Sequence, residues 1–169
     1  RLIVSTLGLQ LRQDRIQLGL YESSQQQILR TTRSDNILQT MLGVYAQNEM
    51  TWNQWLRTAA GLRLDNYQAR VTEQSLGTSQ HSSRKVSPKL SVIVSPTAQT
   101  DVFFHTGRGF HSNDARSLAG QSAGAGLVGS RGQEIGLKTQ ASPSHLTTLA
   151  MWRLDFDTEL VYQGDAGTT

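Results

Sequence analysis

The chain alternates apolar and polar side chains with a period of two residues. From Leu56 to Leu64 every second residue is apolar or small, and Arg57 and Arg63 stand between them. Side chains alternate between the two faces of a β-strand, so the pattern puts an apolar face opposite a polar one. On a helix the same residues would spread charge around the whole circumference. The alternation therefore predicts β-strands.

The same alternation recurs and predicts about seven strands, joined by alternating short and long connections. The predicted strands are residues 4–21, 37–49, 53–72, 85–95, 99–110, 132–141 and 145–163. The long connections are residues 22–36, 73–84 and 112–132. Several strands exceed the roughly 9 to 11 residues that cross a bilayer at a tilt. This layout is typical of an antiparallel up-and-down meander in a transmembrane β-barrel with long outer loops.

Composition agrees with a barrel and excludes other classes. The hydrophobic fraction is 37% and the mean hydropathy is −0.39. No stretch approaches the roughly 18 to 20 apolar residues of a transmembrane helix, whereas a barrel needs lipid-facing side chains only at every second position. The absence of cysteine excludes disulfide scaffolds and thiol nucleophiles. A net charge of +3 with scattered basic residues predicts no nucleic-acid partner.

Both ends of the chain resemble the interior of a longer polypeptide. No initiator Met, basic segment or apolar signal segment precedes the strand that begins near Arg1. The last residues, Gly164 to Thr169, read as a loop. We therefore expect residues 1–169 to be a partial barrel domain, either a gene fragment or part of a larger protein.

Five short stretches resemble the TonB-dependent outer-membrane receptors, in the family's order and over nearly the whole chain. They are GVYAQNE at 43–49, LRTAAGLRLD at 56–65, VSPKLS at 86–91, GRGFHSNDAR at 107–116 and EIGLK at 134–138. The resemblance implies a barrel of about 22 strands with a plugged lumen, of which this chain would supply about a third. The plug, the TonB-contacting box and the closing aromatic strand of that family do not occur in this sequence.

The resemblance implies a function in active import across the bacterial outer membrane. The cargo would be a large, scarce nutrient such as a ferric siderophore, cobalamin or glycan. The expected partners are outer-membrane lipid, the plug domain of the same parent protein and a TonB-type energy-transducing protein that acts through the absent N-terminal part. We expect no cofactor and no catalysis. The alternatives are a passive porin-type barrel and a soluble secreted β-sheet binding module; an enzymatic barrel would need a Ser or Asp/His constellation that we do not find.

One polar cluster is the candidate ligand contact, at the point where a strand enters a long outer loop. Its residues are Arg108, His111, Asn113, Asp114 and Arg116. Arginine could bind carboxylates or metal-chelate anions through two parallel hydrogen bonds. The alternative interpretation is structural: Gly107 and Gly109 would allow close backbone approach, and Asn and Asp would shape the turn.

Other charged and aromatic residues fit a barrel wall. The charged side chains that we expect to face the lumen are Arg57, Arg63, Asp65, Lys89, Arg153 and Asp155. Opposite charges on neighbouring strands would form ladders there. The histidines lack metal-site spacing, so we predict no metal site. The aromatic residues that we expect in interfacial girdles are Trp52, Trp55, Trp152, Tyr45 and Tyr67.

Overall fold

The structure is a computed structural model that describes residues 1–73, 77–112 and 127–158. The described residues form the strands β1 (Leu2–Ser24), β2 (Gln27–Thr51), β3 (Leu56–Glu73), β4 (Gly77–Thr97), β5 (Thr100–Ser112), β6 (Leu127–Ser142) and β7 (His145–Phe156). Each strand pairs antiparallel with the next in chain order, and the sheet curves into a half-barrel. The predicted all-β meander is confirmed. Among these residues there is no helix long and apolar enough to span a membrane.

Two of the predicted long loops are largely strand. β1 continues to Ser24 and β2 begins at Gln27, so the connection is a turn in which Gln25 and Gln26 both have positive φ. β4 likewise begins at Gly77, inside the predicted 73–84 loop. The boundaries were wrong because the apolar alternation stops there: residues 21–30 are exposed and mostly polar on both faces. β7 is described to Phe156, and residues 159–163 of its predicted extent lie outside the described residues.

Where neighbouring strands stay paired from β1 through β7, the pairing register assigns each residue to one of two faces, because directly opposite residues of antiparallel strands point to the same side. We call the face that carries Arg63 the inner face and the face that carries Leu62 the outer face. Four hydrophobic inner-face residues of β2 and β3 are at most 4% exposed: Ile37, Tyr67, Ala69 and Val71, here named the inner cluster. They pack with Ile16, Leu18 and Met41 of the same face, as side chains do on the concave side of a curved sheet.

The outer face carries a continuous apolar band. Its exposed members are Leu7, Leu9 and Leu11 on β1, Leu42 and Val44 on β2, Leu62 and Leu64 on β3, Val86 and Leu90 on β4, Phe104 on β5, Ile135 and Leu137 on β6, and Leu149 and Met151 on β7. They are 37% to 82% exposed. A water-soluble domain rarely leaves so large an apolar surface uncovered. A surface of this kind, interrupted by no acidic residue, is typical of strands in contact with lipid.

β4 and β5 are paired near the turn that joins them and separate further along. Their ladder runs from Val94–Val102 to Lys89–Gly107, whereas β5 stays paired with β6 up to Ser112–Leu127. The ladder ends next to Pro88, which has no N–H to donate to a partner strand. Beyond Gly107, β5 stays paired with β6 but no longer with β4. Near the end of this β5–β6 hairpin, Phe110 and Leu127 pack against the inner cluster.

The aromatic residues divide between a turn and the inner face. Trp52 and Trp55 lie at the short β2–β3 turn, where Trp52 Nε1 donates to Thr58 Oγ1 at 2.9 Å. Asn53 Oδ1 in the same turn accepts from two backbone N–H groups, those of Trp55 and Leu56. By contrast, Tyr45, Tyr67 and Trp152 belong to the inner face. The girdle prediction is therefore wrong for these last three residues, because a girdle requires side chains on the lipid side.

Candidate functional site

An ion pair within β3 lies on the inner face. The Arg63 guanidinium donates three hydrogen bonds of 2.7 to 3.0 Å to the carboxylate of Asp65, whose side chain is 0% exposed. Gly43 lies opposite Asp65 on β2, and a Cβ at Gly43 would collide with this pair. The Tyr45 ring lies 6.0 Å from Arg63 Cζ. The pair thus holds one guanidinium in a defined orientation against an aromatic wall.

A cavity of about 480 Å³ opens beside this pair, between the inner face and the end of β5. Its walls include Tyr45, Arg63, Lys89, Arg108 and Phe110, and we call it the basic cavity. The stem of Lys89 lies across Gly61 and close to Gly107, so the two glycines leave room for it. Within the described part of the chain, neither Lys89 nor Arg108 forms an ion pair with an acidic side chain. Of the three cationic groups around this space, Arg63 alone has a carboxylate partner among the described residues.

The basic cavity is suited to binding anions rather than to acid–base chemistry. Guanidinium groups bind carboxylates and other planar or multi-oxygen anions through parallel hydrogen bonds. Tyr45 and Phe110 add aromatic surface for the apolar part of a ligand. The described lining contains no Asp, Glu, His or Cys that could act as a general base.

The structure separates the two described members of the predicted ligand cluster. Arg108 lines the basic cavity, whereas His111 lies three residues further along β5, where side chains point to the opposite side of the strand. The His111 ring instead contacts Phe156 edge-on, with centroids 5.6 Å apart. Asn113, Asp114 and Arg116 lie outside the described residues.

The predicted polar wall falls into two parts. Arg57, Arg63, Asp65 and Lys89 share the inner face of β3 and β4. Arg153 and Asp155 do not: Leu154 shares the inner face with Gly132, so both flanking residues of β7 point outward. The prediction of a common face for all six residues is therefore wrong. β7 has apolar residues on both faces, with Leu149 and Met151 outside and Trp152 and Leu154 inside, so its sequence did not fix which face is which.

Arg57 forms a second ion pair of the inner face, near the short turns. Its Nη2 lies 2.8 Å from Asp101 Oδ2, although the two residues belong to β3 and β5. Ser95 Oγ donates to the other oxygen of Asp101 at 2.5 Å. The pair joins strands that are not direct neighbours, because their side chains meet in front of β4.

His105 and His145 make local contacts. His105 stacks on Phe103 with ring centroids 5.0 Å apart, and His145 is within hydrogen-bond distance of Ser142 and Ser144. The described residues contain no group of three His, Cys, Asp or Glu side chains that could hold a metal ion.

Sequence reasoning missed two walls of the basic cavity, Tyr45 and Phe110. The place of Tyr45 could have been predicted, since Tyr45 occupies a position on the polar face of its strand, opposite Arg63. The place of Phe110 could not have been predicted, because it depends on the packing of the end of the β5–β6 hairpin against the inner cluster. No local pattern reports a contact between residues so far apart along the chain.

Comparisons with known proteins agree with this architecture. The family model described as "TonB dependent receptor-like, beta-barrel" matches residues 3–169. Among solved structures, the alcaligin outer-membrane receptor FauA from Bordetella pertussis is similar over 90% of the chain, with a TM-score of 0.61 and 14% identity. The chain spans 30% of the length of that receptor. A search of curated proteins found no match. At 14% identity the structural likeness shows a common fold.

Proposed function

The chain belongs to the TonB-dependent receptor β-barrel family, and we propose that it forms part of the wall of a receptor that imports a large, scarce nutrient with energy supplied through TonB. Membership of this family places the chain in the bacterial outer membrane. The observation that carries the proposal is the family match over residues 3–169. The family implies a plug domain and a TonB partner in the complete protein.

The two faces of the sheet support a wall between lipid and an aqueous path. The apolar band covers the outer face, where the ion pair Arg153–Asp155 lies beyond Met151, the last band residue of β7, whereas the inner face carries the ion pairs Arg63–Asp65 and Arg57–Asp101. A transmembrane barrel needs this distribution, since lipid cannot solvate charges and the lumen can. We propose that Arg57, Arg63, Asp65 and Lys89 line the lumen.

The basic cavity favours an anionic cargo. Of the three nutrient classes, a ferric siderophore with anionic donor groups fits Arg63, Lys89 and Arg108 better than a neutral glycan does. The similar fold of a receptor for alcaligin supports the same choice. Arg108 is the ligand contact that we propose from the predicted cluster; His111, Asn113, Asp114 and Arg116 stay predictions, and the last three lie outside the described residues.

Growth of the source bacterium tests the import function. We expect that deletion of the complete receptor gene abolishes growth on one scarce nutrient, offered separately as ferric siderophores, cyanocobalamin or oligosaccharides. Deletion of the TonB-type protein should abolish the same growth. Growth that needs the receptor but not the TonB-type protein would instead indicate a passive porin, and unchanged growth on every nutrient would contradict the proposal.

A pair of variants tests the cavity within that experiment. Arg108→Gln should raise the nutrient concentration for half-maximal uptake by about tenfold, the effect of one hydrogen bond to a charged group. Arg131→Gln is the matched control, because Arg131 lies directly opposite Arg108 on β6 but does not line the cavity. Equal uptake by both variants would remove the cavity from the transport path.

A further inference from the structure

Charges on β1 to β4 are divided between the two faces of the sheet. Up to the register shift that follows Leu20, every acidic residue of these strands belongs to the inner face: Asp14, Asp35, Glu49, Asp65 and Glu73. Three arginines, Arg15, Arg70 and Arg84, belong to the outer face. All three are exposed, and none forms an ion pair with any of the described residues.

The three arginines stand at one edge of the apolar band. Arg84 lies in the row of paired residues that contains Leu11 and Leu42, the last leucines of the band on β1 and β2. Arg15 and Arg70 lie on either side of Leu38, four residues further along the strands. They are two strand spacings apart, which is about 10 Å. A lipid whose chains lie on the band would bring its headgroup to this level.

Two shallow grooves on the outer face flank Arg70 and supply further hydrogen-bonding groups. One, of about 560 Å³, contains Gln68, Gln80 and Ser82. The other, of about 290 Å³, contains Arg15 and Asn36. Amides, a hydroxyl and guanidinium groups without a carboxylate among them form a donor-rich surface that suits phosphate and sugar oxygens.

The edge that carries these arginines is the one that we expect to face outside the cell. This edge of the band lies towards the end of the sheet where residues 113–126 connect β5 to β6. The opposite end of the sheet has the short turns at 52–55, 98–99 and 143–144. Outer-membrane barrels carry their long connections on the extracellular side and their short turns in the periplasm. The arginines therefore meet the headgroups of the outer leaflet.

We propose that Arg15, Arg70 and Arg84 form a site for the phosphate groups of an outer-leaflet glycolipid. The acyl chains lie on the apolar band, the phosphates pair with the guanidinium groups, and the sugar hydroxyls occupy the grooves beside Arg70. Clusters of basic residues next to a membrane-embedded surface bind anionic headgroups in this way. The site depends on the outer-membrane location and not on the import function.

Binding of bisphosphorylated lipid A to the complete receptor, followed by native mass spectrometry from a neutral detergent, tests the site. Each arginine near a membrane surface contributes about fivefold to such binding, so the triple variant Arg15→Gln/Arg70→Gln/Arg84→Gln should bind about a hundredfold more weakly. Lipid A without phosphate should bind the unaltered receptor equally weakly. Triple-variant binding equal to that of the unaltered receptor would overturn the proposal.

Single variants separate this site from a general effect of charge. Arg70→Gln should weaken lipid A binding about fivefold. Arg12→Gln should leave it unchanged, because Arg12 is on the inner face of the same region and pairs with Asp14 at 2.8 Å. Equal losses in both variants would contradict a defined site. Complete displacement of lipid A by inorganic phosphate would also overturn the lipid assignment, since it would indicate a site for soluble anions.

Discussion

At the scale of single residues, two ion pairs with the same spacing have different surroundings. Arg63–Asp65 and Arg153–Asp155 are both separated by two positions, and both join a guanidinium Nε to the two carboxylate oxygens. The Asp65 side chain is 0% exposed and that of Asp155 is 51% exposed. A buried carboxylate that loses its charge leaves its donors without a partner, whereas an exposed one is replaced by water.

Asp65→Asn should therefore destabilise the receptor by about 1 to 3 kcal/mol, the cost of a buried donor left unsatisfied. Asp155→Asn, with the same spacing and the same substitution, should leave stability unchanged. The measurement is the urea midpoint of unfolding for the complete receptor in lipid vesicles. Equal shifts for the two variants would show that Asp65 is not buried in the complete barrel.

The same residues show what the sequence could predict about the site. Arg57, Arg63, Asp65 and Lys89 were identified as one face because they occupy alternate positions on adjacent strands. Arg108 was identified from its place at a strand end. The presence of Arg108 in the same cavity as Arg63 and Lys89 was not predictable, because it depends on where β5 stops pairing with β4.

At the scale of elements, the order and pairing of the seven strands could be predicted from period-two alternation, but two properties could not. The ends of β1, β2 and β4 were missed because strands that extend beyond a membrane have no apolar face to mark them. The face assignment of β7 was missed because its outer residue Met151 and its inner residue Trp152 are both apolar.

Close packing between strands depends on small residues at particular positions, and β6 offers a matched pair. A Cβ at Gly136 would lie 2.6 Å from the Leu149 carbonyl oxygen and would collide with the Phe103 ring, whereas the nearest atom to one at Gly132 is Leu154 Cδ1 at 3.7 Å. Gly136→Ala should therefore destabilise the receptor by about 1 to 3 kcal/mol. Gly132→Ala should be neutral or slightly stabilising, since alanine loses less backbone entropy than glycine.

The same urea midpoints in vesicles test this pair of alanine variants. A loss confined to Gly136→Ala would agree with the Phe103 ring packed over a glycine of the neighbouring strand. If Gly132→Ala were as harmful as Gly136→Ala, the register between β5, β6 and β7 would be different from the one described here.

At the scale of the whole molecule, the sheet separates two environments. The outer face presents the apolar band and, at one edge, Arg15, Arg70 and Arg84; the inner face carries the acidic residues of β1 to β4 and the basic cavity. This separation was predictable, because alternation encodes a two-sided sheet without reference to its neighbours. The packing of Phe110 and Leu127 against the inner cluster was not, since it joins residues that are far apart along the chain.

Site-directed cysteine labelling tests this two-sided wall most directly, and the absence of native cysteine makes it simple. Single cysteines would replace Leu62 and Arg63 on β3 and Met151 and Trp152 on β7, in the complete receptor in outer membranes. We expect water-soluble maleimide to label positions 63 and 152, and a lipid-phase reagent to label positions 62 and 151. Labelling of positions 62 and 63 in the reverse pattern, or equally by the water-soluble reagent, would contradict a wall between lipid and lumen.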